Sequence, residues 1–228
     1  MAQSKRYKSA LAKTDPKRNY QIDEAIELLL TLPKAKFDET VEVSFHLGVD
    51  PRQSDQMVRG SVVLPHGTGR KIRVLVFCEP EKENEAGESG ADYIGSQDLI
   101  DKISGGWLDF DYCISTPSMM KLVSRLGKVL GPRGLMPSPK TGAVTENIGK
   151  AVQEAKRGKI DFRMDKFGGL HAGIGKLSFT KEQLTDNFNA FVNALIAAKP
   201  SGVKGDLIKS VYLSATMSPS LKITGVNG

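Results

Sequence analysis

Two strand-like runs in this sequence follow different rules, and no single sheet satisfies both. "TVEVSFHL", residues 40–47, alternates strictly: Val41, Val43, Phe45 and Leu47 point one way, and Thr40, Glu42, Ser44 and His46 the other. That pattern predicts a strand with one covered face and one wet face. "IRVLVFC", residues 72–78, is almost continuously apolar, the mark of a strand covered on both faces. The chain therefore has to build a one-sided sheet and a sandwiched one.

The segments around each run agree with this. Ile22, Ala25, Ile26 and Leu29 recur at helical spacing, which predicts a helix over 22–32 ending before Pro33. "GSVVLP" (60–65) reads as a second short strand. Beyond residue 70 come a helix over 96–104, a strand at "FDYCIS", and a helix over "TPSMMKLVSRL" capped by Thr116 or Ser118. An irregular loop and a helix at "NIGKAVQEAKRG" follow. Strand and helix in alternation predict a three-layer α/β unit with a largely parallel sheet. After Gly158 the style reverts, with "KIDFRM" and "LHAGIGKLSF" as paired strands around Gly168-Gly169. Thr180 and Gln183 form a capping box. Leu184, Phe188, Phe191, Leu195 and Ile196 stripe a long helix ending near Pro200, and "SVYLSATM" and "SLKIT" close the chain as strands.

The expected fold class is thus α/β and α+β in two domains. One is discontinuous, from residues 1–67 and 159–228. The other, 68–158, is an α/β insert. The chain crosses twice near glycines, Gly67, Gly69 and Gly158, which reads as a hinge.

Charge divides along the same line. The formal net charge is +6; the two ends carry nineteen basic and fourteen acidic residues, net +5, and the insert thirteen and twelve, net +1. A moderate basic excess points to a polyanionic partner. The insert is polarised internally. No acid stands between Asp111 and Glu146, a stretch holding Lys121, Arg125, Lys128, Arg133 and Lys140. It contains "KVLGPRGLMPSPK", where prolines at 132, 137 and 139 forbid a helix across the loop and stiffen it. The first twenty residues hold six basic residues against Asp15 alone and read as a flexible basic arm or, more sharply, as an arm that touches phosphates.

Chemistry of other kinds finds no footing. Ser118-x-x-Lys121 and Lys140-Thr141-Gly142 imitate serine β-lactamase motifs, but "SDQ" at 54–56 comes in the wrong order and the gap is far too short. "HGTG" at 66–69 lacks the dinucleotide fingerprint and precedes a strand. No acid stands beside a histidine in a way that points to general acid–base work. Cys78 and Cys113 sit in apolar runs and read as reduced core thiols; with no C-x-x-C pair and three scattered histidines, no metal and no cofactor are expected. The N-terminus lacks the apolar segment of a secretory signal, and no run approaches the ~20 apolar residues of a membrane span. The expected location is the cytoplasm. A basic, acid-poor N-terminus leaves a plastid open, though Arg and Ser are sparse there.

"GKVLGPRGLMPSPKTGAVT" closely resembles the signature of the family of large-subunit ribosomal protein number one, the protein of the mobile stalk beside the tRNA exit site. "KRYK", "AKFDETVEV", "LGVDPRQSDQMVRGSVVLPHGTG", "GADYIG", "GWLDFDYCISTP", "DKFGGLHAGIGK" and "SVYLSATMSPS" carry the likeness nearly end to end. The resemblance implies a discontinuous first domain with a split β-α-β sheet and an inserted α/β domain. It implies no enzyme, and a protein that is monomeric off the ribosome. Its implied roles are binding of large-subunit ribosomal RNA, help in releasing deacylated tRNA from the exit site, and repression of its own messenger.

Carried over residue by residue, the implied RNA contacts are Lys36, Phe37, Thr40, Glu42, Thr216 and Met217, with Arg163, Lys166 and His171 as weaker ones. Phe37 offers a flat face to a base or sugar, and Thr40 and Glu42 lie on the wet face of their strand. On the residues alone, Phe37 reads as a hydrophobic cap at a strand entrance and Met217 as core. Ser218 stands where the family commonly has glycine, adding a side chain where RNA backbone is expected to approach. Lys128, Arg133 and Lys140 either meet phosphates of ribosomal RNA or exit-site tRNA, or belong to a loop that joins the two domains. Two other classes compete: a free regulatory RNA-binding protein, and a nucleotide-dependent enzyme on the insert.

Overall fold

The computed structural model describes residues 4–203 and 205–226, with the extreme ends of the outer domain's expected range, 1–3 and 227–228, outside them. The chain separates into two compact units: one takes the chain up to Gly69 and again from Ile160, and the other is Arg70–Lys159.

The first unit opens with α1 (Lys5–Ala12), β1 (Asn19–Tyr20), α2 (Ile22–Thr31), β2 (Thr40–Leu47) and β3 (Arg59–Val63). The second contains β4 (Val74–Phe77), α3 (Glu83–Glu88), β5 (Tyr93–Gly95), α4 (Gln97–Ser104), β6 (Tyr112–Ser115), α5 (Met120–Val123), α6 (Gly127–Leu130) and α7 (Ile148–Arg157). The first then resumes with β7 (Lys159–Arg163), β8 (Gly169–Lys176), α8 (Lys181–Ala197), β9 (Ile208–Ala215) and β10 (Leu221–Ile223).

In the first unit the main sheet has the order β1-β10-β9-β2-β8. All its pairings are antiparallel except β1 with β10. The alternation of β2 decides which face is covered. Val41, Val43, Phe45 and Leu47 are buried, and Glu42 and His46 are exposed. The covering layer is α2 and α8. Phe45 stacks on Phe188 and Phe191 of α8 at 6.5 and 5.6 Å between ring centroids, and Phe162 meets Phe191 edge-on at 5.4 Å. The Thr180–Gln183 capping box starts α8, with both reciprocal hydrogen bonds made. The opposite face of the sheet stays wet.

The second unit is a parallel sheet, β5-β4-β6, with apolar side chains on both faces. On one side Leu75, Phe77 and Cys113 pack with Leu99, Ile103, Val123 and Leu130. On the other, Val74, Val76 and Ile114 pack with Ala86, Ile148 and Val152. Every residue of β4 is buried, as a continuous apolar run requires. Cys78 and Cys113 are free, buried thiols, and burial pushes the Cys78 thiol up to about 11. Helix α7 ends at Gly158, whose φ of 106° only glycine adopts without strain, and the chain passes straight into β7.

Several expectations need correcting. The N-terminal segment is no flexible arm: α1 forms, capped by Ser4 accepting from Tyr7 N–H and anchored by buried Ala10. β7 does not pair with β8; it pairs with β3, while β8 forms the edge of the main sheet beside β2. Gly60 explains the choice, because its missing side chain is where the Phe162 ring lies. The helix expected over 116–126 starts later, at Met120, with no side-chain cap, because the Thr116 and Ser118 hydroxyls bond each other at 3.1 Å. It continues as a tighter turn over Ser124–Leu126 and then α6. The 128–140 segment is therefore helical as far as Leu130, so Lys128 stands on α6. Leu130 and Pro137 are buried, and Pro139 opens a short turn of 3-10 helix.

Candidate nucleic-acid interface

The wet face of the main sheet is assembled from alternate residues of four strands. Register places Ser44 between His171 on β8 and Tyr212 on β9, and Glu42 between Gly173 and Ser214. Tyr212 in turn faces Lys222 on β10. The result is an open, mostly polar surface with exposed Tyr212 at its centre. His171 Nδ1 and Ser44 Oγ share a hydrogen bond at 3.0 Å.

At the start of β2 two apolar side chains stand out into solvent. Phe37 is 54% exposed and Met217 is 48% exposed. Neither is core. Thr216 and Met217 lie in the turn after β9 rather than in the strand. Thr216 N–H donates to the Thr40 carbonyl and Thr40 N–H to Thr216 Oγ1, both at 3.0 Å, so the Thr216 hydroxyl is spent on tying the turn to β2. Thr40 Oγ1 accepts from Lys176 Nζ at 2.8 Å, which leaves its own proton to donate outward. Ser218 does not project toward a partner. Its Oγ accepts from Ala215 N–H at 2.8 Å and donates to the Pro219 carbonyl at 3.0 Å, folding the hydroxyl back into the turn.

Two residues that sequence reasoning passed over organise this end. Glu39 is 1% exposed, and its carboxylate accepts Ala35 N–H at 2.7 Å and Met217 N–H at 2.9 Å. Arg6, on α1, lies 3.9 Å from that carboxylate and donates to the carbonyls of Pro33 (3.1 Å) and Met217 (3.0 Å). The phase of β2 held a signal for Glu39: odd-numbered residues of this strand face inward, so 39 falls on the buried side. Arg6 stood in the sequence only as one cation of the basic N-terminal run and of "KRYK", with nothing to mark this role.

Thr40, Glu42, Thr216, Met217, Phe37 and exposed Lys36 thus gather at one end or on the adjoining face, and His171 joins them across the sheet. Arg163 and Lys166 do not. They line a groove of about 670 Å³ with Arg52, Met57 and Asp165, beyond the opposite end of β2. β2 is eight residues long, so roughly 25 Å separates the two ends. The turn there depends on Asp165, which accepts Phe167 N–H at 2.7 Å and Gly169 N–H at 2.8 Å. Those two bonds hold its carboxyl below the usual range. Gly168, at φ 79°, returns its carbonyl to Leu47 N–H at 2.8 Å. At the tip stands Phe167, 85% exposed, a second aromatic that the sequence reading overlooked. Lys128, Arg133 and Lys140 are all exposed and belong to the other unit.

Among the described residues no group of histidines, cysteines and carboxylates could hold a metal ion, and no helix is long and apolar enough to cross a membrane.

A family model, the Ribosomal protein L1p/L10e family, matches residues 29–219. This chain belongs to that family. It is 54% identical over 220 residues, 96% of each chain, to large ribosomal subunit protein uL1 of Thermus thermophilus, and the same values hold for the uL1 proteins of two individual strains of that organism. The match spans both units, and with it the whole end of the sheet that carries Phe37, Glu39 and Met217.

Proposed function

We propose that this protein is a non-enzymatic constituent of the large ribosomal subunit that binds ribosomal RNA through the wet face of its first unit. One observation carries the reading: in a ribosomal-protein family member, an exposed aromatic and an exposed methionine stand on two segments that the Glu39 carboxylate ties together at the end of a polar sheet face. Globular proteins gain nothing in stability from leaving Phe37 in water; RNA offers it bases to stack on and 2′-hydroxyls for Thr40 and Glu42 beside it. Arg163, Lys166 and His171 extend the contact along the sheet toward the opposite turn, where phosphates meet the cations.

On this reading the protein sits in the mobile stalk, helps deacylated tRNA leave the exit site, and represses its own messenger through an RNA site like the ribosomal one. Lys128, Arg133 and Lys140, on an acid-free stretch of the second unit, are the residues assigned to tRNA or to phosphates of ribosomal RNA. Co-sedimentation tests the central part. The tagged chain is expected to travel with large subunits and to be stripped from them by high salt. Recovery only as free protein would favour the purely regulatory reading instead. Release of deacylated tRNA from ribosomes with and without the protein tests the exit-site role.

A further inference from the structure

Resting on that reading of the face, we infer that Arg6 and Glu39 are positioning residues: they hold the Phe37 loop and the Met217 turn in one geometry, and RNA affinity depends on them although they act through those two side chains.

A buried carboxylate survives only when hydrogen-bonded and paired. Glu39 is buried at the edge of a sheet whose other inward positions are apolar, and both its oxygens are taken by backbone N–H groups. Those donors come from Ala35 and Met217, on segments far apart in sequence. Arg6 closes the ring from the other side, bonded to Pro33 and Met217 carbonyls. The loop at 33–39 and the turn at 215–218 are thereby fixed to each other through polar atoms of two side chains. Phe37 and Met217 are half exposed, so burial alone fixes neither of them. The Thr40–Thr216 bonds tie the turn to β2 and Asp38 ties the loop to Ser178, while the ring joins loop and turn to each other; without it their relative placement would be looser, and binding RNA would have to order it. Pre-organisation removes that cost. Helix α1 then has a role beyond covering the core: it delivers Arg6. Ser4, Arg6, Tyr7, Thr216, Met217 and Ser218 border a groove of about 440 Å³ there.

The probe is large-subunit ribosomal RNA freed of protein, bound by the full chain over a series of salt concentrations. Glu39→Gln presents an amide nitrogen to one of the two N–H donors and frees one loop. Arg6→Met removes both carbonyl anchors. Each is expected to lower affinity about tenfold or more. In an Arg6→Met chain the slope of log affinity on log salt should stay at the wild-type value; a slope smaller by roughly 0.7–0.9 would make Arg6 a phosphate contact and overturn the inference. In a Phe37→Ala/Met217→Ala background the penalties of Glu39→Gln and Arg6→Met should nearly vanish, because the side chains they position are gone. Additive penalties would likewise overturn it. If Glu39→Gln fails to fold, Arg6→Met, at a partly exposed position, answers the question alone in both assays. Wild-type affinity in the Phe37→Ala/Met217→Ala chain itself would instead locate the failure in the proposed RNA face.

Discussion

Phe37 separates two physical roles. A core phenylalanine cut to alanine costs about 3–5 kcal/mol of folding stability. A stacking phenylalanine costs about 1–3 kcal/mol of binding per base. Phe37 is half in water, so Phe37→Ala should weaken RNA binding about tenfold or more and leave the thermal midpoint within a few degrees. A collapsed midpoint with normal binding by the folded fraction would return it to the core. The residue scale is also where the sequence was hardest to read. Phe37 offered the same letters to a cap and to a stacking platform, and only exposure separates them. Glu39 obeyed the strand's inward phase, yet an acid next to Asp38 reads as surface until its two N–H donors are seen. Asp165 gives a pH test. Its folded carboxyl is held below the unfolded range by the Phe167 and Gly169 N–H groups, so it stabilises the fold above that range. That contribution is lost as pH falls through the carboxylate range toward its lower folded value. The midpoint difference between wild type and Asp165→Ala should therefore shrink on acidification; a difference that stays constant with pH would show that Asp165 stabilises the turn by something other than its charge.

Among the elements, α8 links the main sheet to the β3–β7 pair. Phe191 meets both Phe45 of β2 and Phe162 of β7. Phe191→Ala is expected to cost about 3–5 kcal/mol, seen as a large drop in thermal midpoint; a loss under about 1 kcal/mol would mean the layer repacks around the gap. This helix was legible because its stripe, capping box and terminal proline all agree. β2 and β4 were legible for a related reason: alternation and continuous burial are properties of the strand itself. Pairing is not. β7 and β8 adjoin in sequence and looked like a hairpin, but β7 goes to β3, about a hundred residues earlier, where Gly60 makes room for Phe162. The late start at Met120 was equally hidden, because Thr116 and Ser118 bond each other instead of capping. α1 was missed because its run is basic, and its stability comes from tertiary anchors such as Ala10 and Arg6 rather than from an apolar stripe.

For the whole molecule, the proposed reading gives RNA recognition to the unit made from the two chain ends and a secondary electrostatic role to Lys128, Arg133 and Lys140 of the second unit. Net charge points the same way, +5 for the ends against +1 for the insert. Each phosphate neutralised should add roughly 0.7–0.9 to the salt slope of binding, so a handful of contacts gives a steep dependence. The most direct test joins the chain up to Gly69 to the chain from Ile160 through a short glycine linker and measures its binding to protein-free large-subunit ribosomal RNA across salt. The expected result is a folded protein with affinity within about tenfold of the full chain and most of its salt slope. Binding by isolated Arg70–Lys159 as tight as the full chain, with none by the folded joined ends, would contradict this division of roles.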